Sequence, residues 1–167
     1  MTPKLEKATF AAGCFWGVEA YFKRLKGVKS TTVGYTGGWL PDVNYQLVRT
    51  GTTGHAESVK IEFDPKVITY KKLLDHFWKV HDPTSLNKQG NDRGTQYRSA
   101  IFVHTVEQER AALKAKENLE RSKRFKKKIV TEIARAGKFY PAEEYHQDYL
   151  DKNPGGYCHV DLSGADK

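Results

Sequence analysis

The feature that most constrains this chain is a change of periodicity packed into one short stretch. An apolar, strand-like run, Ala8-Thr9-Phe10-Ala11-Ala12, gives way to a helix-like one, Val18-Glu19-Ala20-Tyr21-Phe22-Lys23-Arg24-Leu25, through Gly13-Cys14-Phe15-Trp16-Gly17. A cysteine at such a junction falls at the first turn of a helix. There the unpaired backbone N–H groups and the positive end of the macrodipole favour an anion. A thiolate is such an anion, so the position predicts a Cys14 pKa below the ordinary thiol value of about 8.5. The two glycines let the backbone turn tightly and let another molecule approach. Phe15 and Trp16 set two aromatic surfaces beside the sulfur, enough to wall a small apolar pocket. The plainer reading is a structural cysteine, since free cysteine is among the most buried residue types.

The segments that follow limit the fold. Lys29 to Tyr35 is β-branched and strand-like, and in the next strand candidate Val59, Ile61 and Phe63 alternate with Ser58, Lys60 and Glu62. Leu73, Leu74, Phe77, Trp78 and His81 fall at helical spacing up to Asp82-Pro83. Tyr97 to Val103 reads as a strand, Val106 to Glu120 as a charge-laced helix, and Ile129 to Ile133 as a fifth strand. Pro141 to His146 reads as a helix start with proline at its first position. The order βαββαβ predicts an α+β, two-layer sandwich with a ferredoxin-like split βαβ core, an extra C-terminal helix and an irregular tail. At 167 residues, with no shift in composition, residues 1–167 are expected to form one domain.

Composition narrows the function classes. There is no apolar run long enough to span a bilayer, and Met1 to Lys7 lacks the apolar segment of a secretory signal. The expected compartment is the cytoplasm, where thiols stay reduced and disulfides are usually catalytic. Cys14 and Cys158 are the only cysteines, too few for a disulfide scaffold or a thiolate zinc site. They suffice for a nucleophile and a resolving partner. No metal is expected, because Cys14, His55, Cys158 and His159 lack regular ligand spacing. The net charge of +8 raises nucleic acid as a partner, but the basic residues gather at Arg121 to Lys128, which reads as a solvated face.

Partners for Cys14 come from three places. Glu57 shares the parity of Val59, Ile61 and Phe63, so it points inward if they do. Burial would raise its pKa and make it a general acid, whereas at the solvent boundary it would be an ordinary strand-end carboxylate. His55 is either a base or a hydrogen-bonded loop residue. The long polar loop from Asp82 to Arg98 offers Asp92 and Tyr97 as polar contacts, and Asn153 to Cys158 is a flexible tail with a cysteine at its tip.

These segments closely resemble the A-type peptide methionine sulfoxide reductases. The resemblance runs from about Thr9 to Cys158. It is carried by Gly13-Cys14-Phe15-Trp16-Gly17-Val18-Glu19, Gly34-Tyr35-Thr36-Gly37-Gly38, Gly54-His55-Ala56-Glu57, the 82–99 loop and Gly156-Tyr157-Cys158. It implies Cys14 as nucleophile and Glu57 as the acid that protonates the sulfoxide oxygen, with Tyr45 and Tyr97 hydrogen-bonding that oxygen. Phe15 and Trp16 would cradle the terminal methyl group, Asp92 would help bind the peptide-like part of the substrate, and Cys158 would be the resolving cysteine. Some relatives carry another recycling cysteine further on, and the stretch His159 to Lys167 has none. The resemblance further implies the S epimer of methionine sulfoxide as substrate, free or in oxidised proteins and peptides. It also implies no cofactor beyond an external thiol reductant such as thioredoxin. The protein is expected to be a monomer that binds neither nucleic acid nor membrane.

Overall fold

A computed structural model describes residues 4–166. Met1, Thr2 and Pro3, the first residues of the segment read as lacking a signal, lie outside the described residues, as does Lys167. The chain runs β1 (Glu6–Ala12), α1 (Phe15–Lys23), β2 (Val28–Thr36), α2 (Tyr45–Val48), β3 (Ala56–Phe63) and α3 (Tyr70–Lys79). A small hairpin follows, β4 (Lys88–Gln89) and β5 (Asp92–Arg93). The chain then continues through β6 (Ser99–Val103), α4 (Val106–Ser122), β7 (Glu132–Arg135), β8 (Tyr140–Pro141) and α5 (Tyr149–Lys152). Among the described residues, no helix is long and apolar enough to cross a membrane.

The result is a mixed α+β fold around a sheet ordered β7-β6-β1-β3-β2-β8. β1 lies in its middle, antiparallel to β3 (Phe10↔Val59) and to β6 (Phe10↔Ile101). β2 pairs antiparallel with β3, and β7 runs parallel to β6 after the α4 crossover. Phe10 of β1 meets Phe22 of α1 at 5.4 Å between ring centroids and Phe77 of α3 at 5.1 Å. The three rings are fully buried. Replacing one by alanine in such a core typically costs about 3–5 kcal/mol. This ring cluster ties the strand that delivers Cys14 to the two helices covering it.

Helix starts follow the sequence. Asn44, Thr69 and Thr105 each accept a hydrogen bond from the third amide of their helix, at 2.9, 3.1 and 3.0 Å. Such caps contribute about 1 kcal/mol apiece. The helix read at Pro141 to His146 is not there. Pro141 instead pairs with Gly34 in an edge strand, a place where a missing N–H costs little. A 3₁₀ turn (Glu144–His146) and the short α5 follow it. The fifth strand also begins later than its apolar run. The Val130 amide donates to the Pro83 carbonyl at 2.8 Å and Thr131 bonds Ser99 at 2.7 Å, so the ladder starts only at Glu132.

Candidate active site

Cys14 sits where β1 turns into α1, at the N-cap of the helix. Gly13 makes the turn with φ +94°, a conformation other residues adopt only with strain. It also leaves room: a Cβ there would lie 2.7 Å from Gln89 and 3.0 Å from the His159 ring. Gln89 is buried and holds the 82–98 loop through its bonds to the Asp82 amide (3.0 Å) and carbonyl (2.7 Å). The absence of a side chain at Gly13 therefore lets both the loop and the C-terminal tail close on the cysteine.

Cys14 is 7% exposed. Burial pushes its pKa above the ordinary thiol range, and the charge of Glu57 adds to the rise. The Trp16 amide at the helix start acts the other way, as the junction predicted, but desolvation outweighs it. The expected depression is therefore absent, and Cys14 rests as a thiol. A helix end stabilises an anion by about 1 kcal/mol, whereas removing one from water costs several.

Glu57 points inward, as its parity with the apolar positions of β3 requires. It is 2% exposed and its Oε1 accepts the Phe15 amide at 3.2 Å. Burial pushes its pKa up to about 8, against the pull of that amide and with the charge of Asp92 adding to the rise. It is thus largely a neutral acid at pH 7. Tyr45 and Tyr97 are raised as well, by burial first and the field of Glu57 second, so both hydroxyls stay protonated donors. Asp92 is raised by burial against a hydrogen bond from Tyr157, and its Oδ2 is buried without a partner. The fields of Glu57 and Asp92 reach Cys14, and that of Cys14 reaches both tyrosines. The five groups form one electrostatic cluster.

The aromatic wall is fixed from the far end of the chain. Phe15 is buried against Tyr35 (5.8 Å) and His146 (5.2 Å). Trp16 stacks on Tyr149 at 3.7 Å and 10°, and its Nε1–H donates to His146 Nδ1 at 3.0 Å. That bond makes Nδ1 the acceptor, so the neutral imidazole carries its proton on Nε2, which is buried and unpartnered. Three polar side chains hold this wall in place. Glu143 accepts from the Tyr35 hydroxyl (2.9 Å) and the Tyr45 amide (3.0 Å), and Glu19 accepts from the Asp148 amide (2.8 Å). Gln147 bonds both backbone groups of Val33 at 2.9 Å.

Sequence reading did not find the wall residues Tyr35, Glu143, His146 and Tyr149. The only available signal was that Glu143-Glu144-Tyr145-His146-Gln147 has no helical apolar stripe after its proline. His55 is a loop staple: its Nδ1 accepts the Gly38 amide at 3.1 Å and its Nε2 reaches the Leu40 carbonyl at 2.6 Å. Cys158 is half-buried and unbonded to Cys14, and a Cβ on Gly17 would lie 2.8 Å from its sulfur. Among the described residues, no group of three or more His, Cys, Asp or Glu is placed to hold a metal ion.

The site thus sets a thiol within electrostatic reach of a neutral carboxyl and two phenols. The family model "Peptide methionine sulfoxide reductase" matches residues 6–167. "Peptide methionine sulfoxide reductase MsrA" of Methanothermobacter thermautotrophicus is 58% identical over 157 residues, 94% of this chain and 93% of that protein. Reduced Mxr1 from Saccharomyces cerevisiae superposes with a TM-score of 0.89 at 41% identity, covering 95% of this chain and 92% of that one. Mxr1 in complex with Trx2 matches with a TM-score of 0.62 at 26% identity, covering 89% of each chain. The chain belongs to the A-type peptide methionine sulfoxide reductases, oxidoreductases that act on methionine sulfoxide.

Proposed function

We propose that this chain reduces methionine S-sulfoxide, free and in oxidised proteins or peptides, by way of a Cys14 sulfenic acid and then a Cys14–Cys158 disulfide. The observation that carries the reading is Glu57, a buried carboxyl with a pKa of about 8 whose field reaches Cys14. While Glu57 holds its proton it exerts no charge on Cys14, so the acid does not oppose loss of the thiol proton as the sulfur attacks.

The sulfur of Cys14 attacks the sulfoxide sulfur, whose oxygen gains charge as the bond forms. Glu57 protonates that oxygen, and the hydroxyls of Tyr45 and Tyr97 donate to it. A positioned acid contributes about 10²–10⁴-fold, and fixed donors stabilise the developing charge further. The sulfide leaves as methionine, the oxygen stays on Cys14 as S–OH, and the thiol's proton restores Glu57. Phe15 and Trp16 receive the terminal methyl group, and Asp92 binds the peptide-like part of the substrate. Cys158 then attacks the sulfenic acid, which forms the S–S bond and releases water. The preference for the S epimer rests on the family resemblance.

An external dithiol closes the cycle and no cofactor is required. The complex of the relative Mxr1 with Trx2 supports a thioredoxin-type reductant. We take residues 1–167 as one reductase domain that acts as a cytoplasmic monomer, binding neither nucleic acid nor membrane. The strand order β6-β1-β3-β2 with α1 and α3 as crossovers supports a ferredoxin-like split βαβ core. The test is turnover of chirally resolved methionine sulfoxides with dithiothreitol. Wild type is expected to consume the S epimer alone, and Cys14→Ser to consume neither, since a hydroxyl is a far weaker nucleophile at neutral pH. Appreciable activity in Cys14→Ser overturns the mechanism.

A further inference from the structure

The C-terminal tail lies across the turn that bears Cys14, although it has no regular structure of its own. Three successive residues fasten it. Cys158 fills the space beside Gly17, and Val160 packs against the same glycine, 3.1 Å from where a Cβ would stand. Between them the His159 ring crosses Gly13, and its Nε2–H donates to the Ala12 carbonyl at 3.0 Å. Ala12 ends β1, two residues before the nucleophile. The resolving segment is thus tied to the backbone that positions Cys14, by a bond spanning 147 residues of sequence.

We propose that His159 is a positioning residue for the resolving step, a latch whose Nε2–H holds Cys158 on the nucleophile's side of helix α1. The inference rests on Cys158 being the resolving cysteine. The field of Cys158 reaches Cys14, three residues before Gly17, so a sulfur held at Gly17 already lies near the atom it must reach. In the resolving step the Cys158 thiol and the Cys14 S–OH join as a disulfide, and the thiol hydrogen and the hydroxyl leave as water. Nothing in that balance needs His159 as a reactant. Its contribution is to replace a search by a loose tail with a pre-set approach, which raises the effective concentration of one thiol at the other.

The atoms of the ring separate this role from a chemical one. A carbonyl only accepts, so the proton sits on Nε2, and burial holds the ring below its ordinary pKa and thus neutral. Nδ1 is left as a bare acceptor, buried and unpartnered. A latch needs Nε2 alone, whereas a base would need Nδ1. Glutamine places an amide N–H the same number of bonds from the backbone as Nε2 but has no counterpart to a basic Nδ1. Asparagine is one bond too short to reach Ala12.

The experiment is a single turnover on methionine sulfoxide without reductant, following methionine, free thiols and dimedone-trapped sulfenic acid. In wild type, thiol loss should keep pace with methionine. His159→Asn is expected to release methionine at the wild-type rate, which also shows that it is folded. It should form the disulfide at least tenfold more slowly and accumulate trappable sulfenic acid. His159→Gln is expected to restore disulfide formation to within about threefold of wild type. A His159→Asn enzyme that closes the disulfide at the wild-type rate overturns the latch. So does a His159→Gln enzyme as slow as the asparagine variant, which would assign the effect to Nδ1. A wild-type enzyme that yields methionine but no Cys14–Cys158 disulfide removes the resolving role of Cys158 itself, and the latch with it.

Discussion

The sulfur of Cys158 occupies the space that a side chain at Gly17 would need, 2.8 Å from where its Cβ would stand. Gly17 has an ordinary helical conformation, so the glycine is required there for room and not for backbone freedom. Gly17→Ala is therefore expected to help the helix by roughly 1 kcal/mol of propensity while evicting Cys158. Single-turnover methionine release should persist, and disulfide formation should slow tenfold or more. A variant that closes the disulfide at the wild-type rate would show that the seat at Gly17 is irrelevant.

Glu57→Gln keeps the shape of the acid and removes its proton. It is expected to lower kcat by about 10²–10⁴-fold with little change in KM, because the proton is needed only in the transition state. The wild-type acid should fail as pH rises through about 8, where Glu57 ionises. A Glu57→Gln profile that keeps the same alkaline fall would assign it to another group.

The same carboxyl makes a stability prediction. Its folded pKa is raised to about 8 from 4.5, so the unfolded chain releases this proton first as pH rises. The stability present below pH 4.5 is progressively lost up to about pH 8. Glu57→Gln lacks that loss, and its melting temperature should gain on wild type between pH 5 and pH 8. A difference independent of pH would mean that Glu57 ionises normally in the folded protein.

Cys158→Ser should still yield about one methionine per enzyme and then stall as a Cys14 sulfenic acid that dimedone traps. Dithiothreitol is expected to restart it, whereas a thioredoxin should do so poorly, since thiol–disulfide exchange needs a disulfide to attack. Equal cycling of mutant and wild type with thioredoxin would leave Cys158 without a resolving role.

Glu143→Ala removes the acceptor shared by the Tyr35 hydroxyl and the Tyr45 amide. The start of α2 then loses its fixed position, and Tyr45 with it. A fall in kcat/KM of about tenfold is expected, equivalent to about 1.4 kcal/mol, with Glu143→Gln recovering part of it because its amide oxygen still accepts. Unchanged kinetics in the alanine variant would show that the wall does not depend on this bridge.

How much of this was legible depends on how local each cause is. The turn at Gly13 to Gly17 and the inward Glu57 were readable because a period of two or a change of period reports them directly. The Cys14 pKa was not, since a helix N-terminus is visible in sequence and the burial that outweighs it is not. The wall around His146 and Tyr149 escaped for a similar reason. It is set by single side chains acting over great sequence distances, such as Glu19 on Asp148 across 129 residues and Glu143 on Tyr35 across 108. Pro141 read as a helix start because proline suits both a first turn and an edge strand, and only the pairing with Gly34 decides between them.

The strand that delivers Cys14 is made before the strands that enclose it. β1 lies between β3 and β6, so its neighbours come from chain synthesised later, out to Val103, and the aromatic wall extends to Tyr149. At the usual pace of synthesis, on the order of ten seconds separates the appearance of Cys14 from that of Tyr149. During that interval the sulfur lacks the burial that later keeps its proton in place. A newborn copy is therefore less sheltered than its finished neighbours until Tyr149 has been made.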